Sequence, residues 1–226
     1  MARSYTLKKR AERQSRTRRR IIEAAVDLHG TLGPARTSIS AIARRARVQR
    51  ATVYDHFPDE SALYQACSSH FSDRHPPPDP SGWREFDAPS ERLRAALSET
   101  YAYHERVEPM MARVHRDAEL LPVLWETEAA GRHARHWKNA AEIVLDAWSA
   151  RGPTSFLLVV AIEHALAFST WQALVRRQGL SPADAVELMV RLARCAAHES
   201  ESDENLATDT GRRPTGGSAP TATVGS

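Results

Sequence analysis

Cysteine is scarce in this chain. Cys67 and Cys195 stand far apart, in no metal-binding or redox spacing. A disulfide framework and a thiolate metal centre are therefore excluded, and both read as structural thiols in a reducing compartment. Long apolar runs are also missing: the longest, residues 156–162, is too short to span a bilayer. Residues 1–20 are basic and polar, without the apolar segment of a signal peptide. There is no nucleophile elbow, no glycine-rich phosphate loop, no HExxH and no internal repeat. These absences predict a soluble cytoplasmic protein that is not an enzyme, carries no cofactor and has no membrane partner.

What is present is charge, unevenly placed. Of the net +3, residues 1–76 hold fifteen Lys and Arg against seven Asp and Glu, a surplus of +8, so the remaining 150 residues carry −5. This asymmetry points to a front half that meets nucleic acid and a back half with another task. With 226 residues, 42% of them hydrophobic, the chain can bury a sizeable core.

The stretch 37–57, TSISAIARRARVQRATVYDHF, reads as two short helices around a tight turn. Ser38 caps a first helix with Ile39, Ile42 and Ala43 on one side and Arg44 and Arg45 on the other. Ala46, Arg47 and Val48 form the turn. A second helix, 49–56, buries Val53, with Phe57 after it, and leaves Gln49, Arg50, Thr52, Tyr54 and His56 facing outward. The pattern is that of a helix-turn-helix, whose second helix enters a DNA major groove.

Around it, residues 1–16 form a basic, apolar-poor arm expected to be disordered. Thr17 caps a helix to about residue 32, with Ile21, Ile22, Ala25, Leu28 and Leu32 inward, ended by Gly33-Pro34. Asp59 caps a linking helix, 60–71, which completes a DNA-binding domain over 17–71. The proline-rich stretch 72–89 is a connection, with Trp83 and Phe86 expected to fasten it to a second domain. That domain, 90–199, reads as helices at 91–107, 122–150 (bent at Gly131), 155–178 and 182–198, with a short segment from Pro109. A disordered tail is expected over 200–226. The fold class is all-α.

The segments TRRRIIEAAVDLHGTLG and TSISAIARRARVQRATVYDHFPDESAL resemble the N-terminal domain of the TetR family of transcriptional repressors. The resemblance covers about residues 16–71, and the rest of the chain matches in architecture only. It implies a three-helix DNA-binding domain followed by a larger helical domain that binds a ligand and dimerises. It further implies that Ser38 contacts a phosphate, that Gln49, Arg50, Thr52 and Tyr54 face the groove, and that His56 contacts the backbone. By chemistry, Arg50 suits guanine, Gln49 adenine, the Thr52 methyl a thymine methyl, and Tyr54 a phosphate oxygen. Three positions depart from the family pattern. Arg47 replaces the usual turn glycine, where a left-handed backbone would carry a steric cost, and its side chain becomes a candidate phosphate contact. His29 replaces a core aromatic. Glu60 replaces a lysine that commonly contacts a phosphate.

In the second domain, Met110, Met111, Trp125, Trp137, Phe168 and Trp171, with polar groups from Tyr101, His104 and His164, are the candidate lining of a cavity for a largely apolar small molecule. His115 is a further hydrogen-bonding candidate, and Phe156 a further apolar one. Each of these also reads as ordinary core. His133 and His136 lie three apart on a helix but lack a third ligand, and read as a surface pair. The expectation is a homodimer, paired through helices near 155–178 and 182–198, repressing transcription from a palindromic double-stranded DNA operator in response to that ligand. A regulator without an effector, and an interaction module with a protein partner, are the alternatives.

Overall fold

The computed structural model describes residues 2–149 and 156–209. Among the described residues every regular element is helical. Helix α1, Ala2–Thr31, lays Ile21, Ile22, Ala24 and Ala25 against α2, Ile39–Ala46, and α3, Arg50–His56. Helix α4, Glu60–Arg74, closes this small core with Leu63 and Cys67. The caps fall where the sequence puts them: Ser38 Oγ accepts from the Ala41 N–H at 3.2 Å, and Asp59 Oδ1 from the Ala62 N–H at 2.7 Å. Burying Ile21, Ile42, Val53 and Phe57 contributes about 1.5–3 kcal/mol each. Leu32 falls just past the end of α1 and is exposed rather than inward.

A second, larger core is built from α5, Pro89–Asp117, α6, Glu128–Ser149, α7, Phe156–Leu166, α8, Phe168–Trp171 with its π-helical continuation Gln172–Arg177, and α9, Pro182–Asp209. Leu93, Leu97, Tyr101, Val144, Leu158, Ile162, Trp171 and Val190 are fully enclosed in it. Trp83, on the two-turn 3-10 helix Pro80–Glu85, fastens the connection to this core and donates its indole N–H to Glu99 at 3.1 Å. Phe86 does not: it is exposed, and its carbonyl is used instead, accepting from the buried Arg92 at 2.8 Å. Arg92 also donates to Ile143 O at 3.0 Å, so its charge is satisfied by backbone carbonyls.

Several boundaries differ from expectation. In place of a disordered arm, α1 is continuous from Ala2, because Leu, Lys, Arg, Ala, Glu and Gln are good helix formers even without a core to face. Likewise α9 runs on to Asp209 through a Glu- and Ala-bearing stretch, and the rest of the expected tail, 210–226, lies outside the described residues. Pro109 sits inside α5 instead of starting a new segment. Its missing N–H costs one helical bond, but buried Val107 and Met110 on either side hold the helix together. The helix expected over 122–150 is interrupted after the single turn Pro122–Leu124, because Thr127 caps a new start: its Oγ1 accepts from the Ala130 N–H at 3.1 Å.

The helix expected over 155–178 is also broken. Helices α7 and α8 meet at Ala167 with a bend of 67°. The broken ladder frees carbonyls in a buried place, and α5 supplies their donors. The Tyr101 hydroxyl donates to Ala165 O at 3.1 Å and His104 Nε2–H to Leu166 O at 3.0 Å. No single helix among the described residues is long and apolar enough to cross a membrane.

Candidate nucleic-acid interface and ligand cavity

Helix α3 presents one face to the small core through Val53 and the other to the outside. Gln49, Arg50 and Tyr54 are exposed, and Thr52 and His56 half-buried. Gln49 is the residue before the helix, capping it without a side-chain hydrogen bond. Arg50 and Tyr54 lie one turn apart and are paired: Arg50 Nη2 donates to the Tyr54 hydroxyl at 3.1 Å, with the guanidinium 5.5 Å from the ring centre. Ser38 is exposed at the start of α2, its hydroxyl already engaged as the cap.

Arg47 adopts the left-handed conformation (φ 54°, ψ 49°), the one non-glycine positive φ among the described residues. The strain, typically about 1 kcal/mol or more, is held by hydrogen bonds around the turn. The Arg47 N–H donates to Ala43 O and Arg44 O, and Arg20 of α1 donates to the carbonyls of Ala46 and Arg47, the latter at 3.2 Å. Arg20 thus fixes the turn between α2 and α3, a role that an arginine in a basic run does not advertise. Asp59 and Glu60 place negative charge in the first turn of α4, where the helix dipole favours it.

Two cavities lie behind this head. The larger, about 430 Å³, is walled by α5, α6 and the break between α7 and α8, with Tyr103, His104, Trp137, Leu166 and Phe168 among its residues. The smaller, about 100 Å³, sits at the junction of α1, α4, α5 and α6, and includes His29, Tyr64, Cys67 and Met110. Tyr103, Met111, Trp125 and His133 line both. Of the residues expected from sequence, His104, Met111, Trp125, Trp137 and Phe168 reach the larger cavity, and Met110 the smaller. Tyr101, His164 and Trp171 reach neither. Tyr101 and Trp171 are enclosed core, and His164 is exposed and shares a hydrogen bond with Thr170 at 3.2 Å. Trp171 instead stacks under Arg176, which is paired with Glu105 and Glu108 of α5.

Tyr103 and His133 were missed as lining residues. His133 and His136 are not a surface pair: both are half-buried, and His133 faces both cavities. The Trp137 indole N–H donates to His133 Nε2 at 2.9 Å. An indole can only donate, so that nitrogen is bare and the imidazole is neutral. Burial pushes His133, His104 and His29 down to about 4 and lowers His115. Burial also raises Cys67 to about 12, which leaves its thiol protonated and unreactive. Among the described residues no group of three or more His, Cys, Asp and Glu is arranged to hold a metal ion.

The two cores are joined at the end of α1 by the last turns of α5. Arg113 Nε donates to Thr31 O and Arg116 Nη2 to Leu32 O, both at 2.9 Å. Asp117, buried, accepts the Ala35 N–H at 3.0 Å and is paired with Arg116. That ion pair holds its carboxyl below the usual carboxylate range. Gly33, with φ 100°, fits beneath: a Cβ there would lie 2.1 Å from the Arg116 guanidinium and 2.4 Å from the Asp117 carboxylate. The same helix carries Met111 and His115 into the larger cavity.

A strained helix-turn-helix clamped to a helical domain that holds a cavity is the architecture of a helix-turn-helix transcriptional regulator. Residues 21–67 match the model of the bacterial regulatory proteins of the tetR family. Over the whole chain, the fold is similar to a TetR-like transcriptional regulator from Rhodococcus sp. RHA1, with 20% identity, 78% of this chain and 93% of that one covered, and a TM-score of 0.52. It is similar also to a TetR-family transcriptional regulator from Streptomyces coelicolor, with 20% identity, coverage of 86% and 87%, and a TM-score of 0.51. No curated protein matches. Residues 21–67 thus match the family's helix-turn-helix model, and the chain as a whole has the fold seen in TetR-family regulators.

Proposed function

We propose that this chain is a homodimeric, ligand-responsive repressor that binds a palindromic operator through α3. The observation that carries the reading is the outer face of α3, where Arg50 and Tyr54 are exposed side by side and hydrogen-bonded to each other. Arg50 would fork onto guanine O6 and N7, Gln49 would reach adenine, and the Thr52 methyl a thymine methyl. Ser38, Arg47, Tyr54 and His56 would contact phosphates beside them. Dimerisation supplies the second reading head, one DNA turn away. A ligand in the cavity acts only if it binds one spacing of the heads more tightly than the other. Cytoplasmic localisation and the absence of catalysis follow from that role.

The test is selection of bound fragments from random double-stranded DNA, followed by gel shift on the winner. A two-fold symmetric consensus is expected, and enrichment of no sequence overturns the reading. Arg50→Ala should weaken operator binding by about 1–3 kcal/mol and relax preference at one base pair per half-site. Equal losses on every DNA sequence would make Arg50 a phosphate contact instead.

A further inference from the structure

Four of the thirteen residues around the larger cavity are aromatic, Tyr103, Trp125, Trp137 and Phe168, and three more carry imidazoles. Such walls favour a flat aromatic molecule, which meets them by stacking or by ring edges. Its volume, about 430 Å³, falls in the range that encloses one small organic molecule. Its polar groups are three imidazoles, His104, His115 and His133, with Lys138 and Glu163 at the edge. His104 Nε2–H donates to the Leu166 carbonyl at 3.0 Å, which leaves its Nδ1 buried without a partner. His133 receives the Trp137 indole proton on Nε2, so its own proton sits on Nδ1. That Nδ1–H has no acceptor among the described residues, and His133 lines the cavity. A donor without a protein acceptor, on a residue of the cavity wall, is a group a ligand oxygen can meet.

Charge is balanced at this site. Of its three imidazoles, His133 is neutral by the geometry of its hydrogen bond, and burial favours the neutral form of His104 and His115. Lys138 and Glu163, each exposed at the edge, offset one another. An ionised ligand would lose its hydration here without gaining a counter-charge. From this we infer that the cavity takes an uncharged aromatic molecule bearing an oxygen acceptor, a phenol or an aryl ketone, seated with that oxygen on His133 Nδ1–H. The inference gives the ligand of the regulator proposed above its chemical class, and rests on that reading. Ring contact with Phe168 and His104 would then bear on the break between α7 and α8, which His104 holds.

Four probes of one ring system test this by calorimetry on the full chain: 1-naphthol, naphthalene, 1-naphthoate and 1-naphthylmethylammonium. Naphthol should bind about three- to tenfold tighter than naphthalene, the worth of one hydrogen bond, and both charged probes should bind more weakly than naphthalene. His133→Leu should abolish the naphthol advantage while leaving naphthalene binding in place. His133→Asn, which keeps a donor near the Nδ1 position, should retain most of it. Equal binding of naphthol and naphthalene, or a preference for either ion, overturns the inference. So does a naphthol advantage that survives His133→Leu. Binding of none of the four, by protein that still retards its selected operator, also overturns it while leaving DNA binding intact. Naphthol binding that leaves operator affinity unchanged supports the ligand class and counts against the responsive reading instead.

Discussion

His29 shows how much one substituted ring can set. It sits in the small core with its ring 5.6 Å from that of Tyr64, the position where an aromatic was expected. Burial pushes its pKa from 6.5 down to about 4. The folded state therefore resists a proton that the unfolded chain accepts from about pH 6.5 downward. Its contribution to stability is full above 6.5 and is lost as pH falls from 6.5 toward 4, at up to about 1.4 kcal/mol per pH unit. His104 and His133 act in the same direction over the same window. Urea midpoints at pH 7.5, 6.5 and 5.5 should fall steeply, and His29→Phe should flatten the slope. An unchanged slope in that variant would place the pH dependence elsewhere. From sequence His29 was recognisable as an unusual core residue, but its proton balance depends on how completely neighbours cover it.

At the scale of elements, the legible parts were those decided locally. Ser38 and Asp59 announce α2 and α4 because a cap acts on backbone groups two or three residues away. The breaks near Thr127 and Ala167 were not legible, because both lie in runs that can continue a helix. The second is stabilised from α5, by Tyr101 and His104, more than sixty residues distant in sequence. That is also why Tyr101, a candidate cavity group in sequence, stands outside both cavities: its hydroxyl is occupied by a carbonyl that exists as a free acceptor only once α7 breaks. Gly33 reads as a helix stop in sequence, and the structure adds a positive φ of 100° that strains any side chain there. Gly33→Ala, which meets both an unfavourable φ and the Arg116–Asp117 pair, should cost about 1–3 kcal/mol, measurable by urea denaturation. A variant as stable as the parent would show that the end of α1 can move aside freely.

Across the described residues, five of the eleven exposed large apolar side chains lie on α7 and α9. Phe156 is 78% exposed and Leu192 50%, with Leu157, Val160 and Leu188 near them in the same two helices. A row of this kind is costly in water and suits burial against a second copy. Val160→Glu together with Leu192→Glu should turn a dimer into a monomer in light scattering, keep the helical circular dichroism, and weaken operator binding. A dimer that persists in that variant would place the interface on another face. The charge asymmetry was readable from composition alone, but which apolar stripes close inward and which stay open was not, since helical periodicity is the same for both.

The clamp at Gly33 has a consequence for modularity. The connection between residues 74 and 89 is the obvious place to cut and graft, as if the reading head were a separate cartridge. Yet the last turn of α1 is completed by Arg113, Arg116 and Asp117, which belong to the other core. A head transplanted onto a foreign body would arrive with the part-buried Ala35 N–H unanswered and with Thr31 O and Leu32 O left to water. Chimeras should therefore fold and respond only when the graft carries residues 113–117 along with the head, so that the inherited unit is discontinuous in sequence.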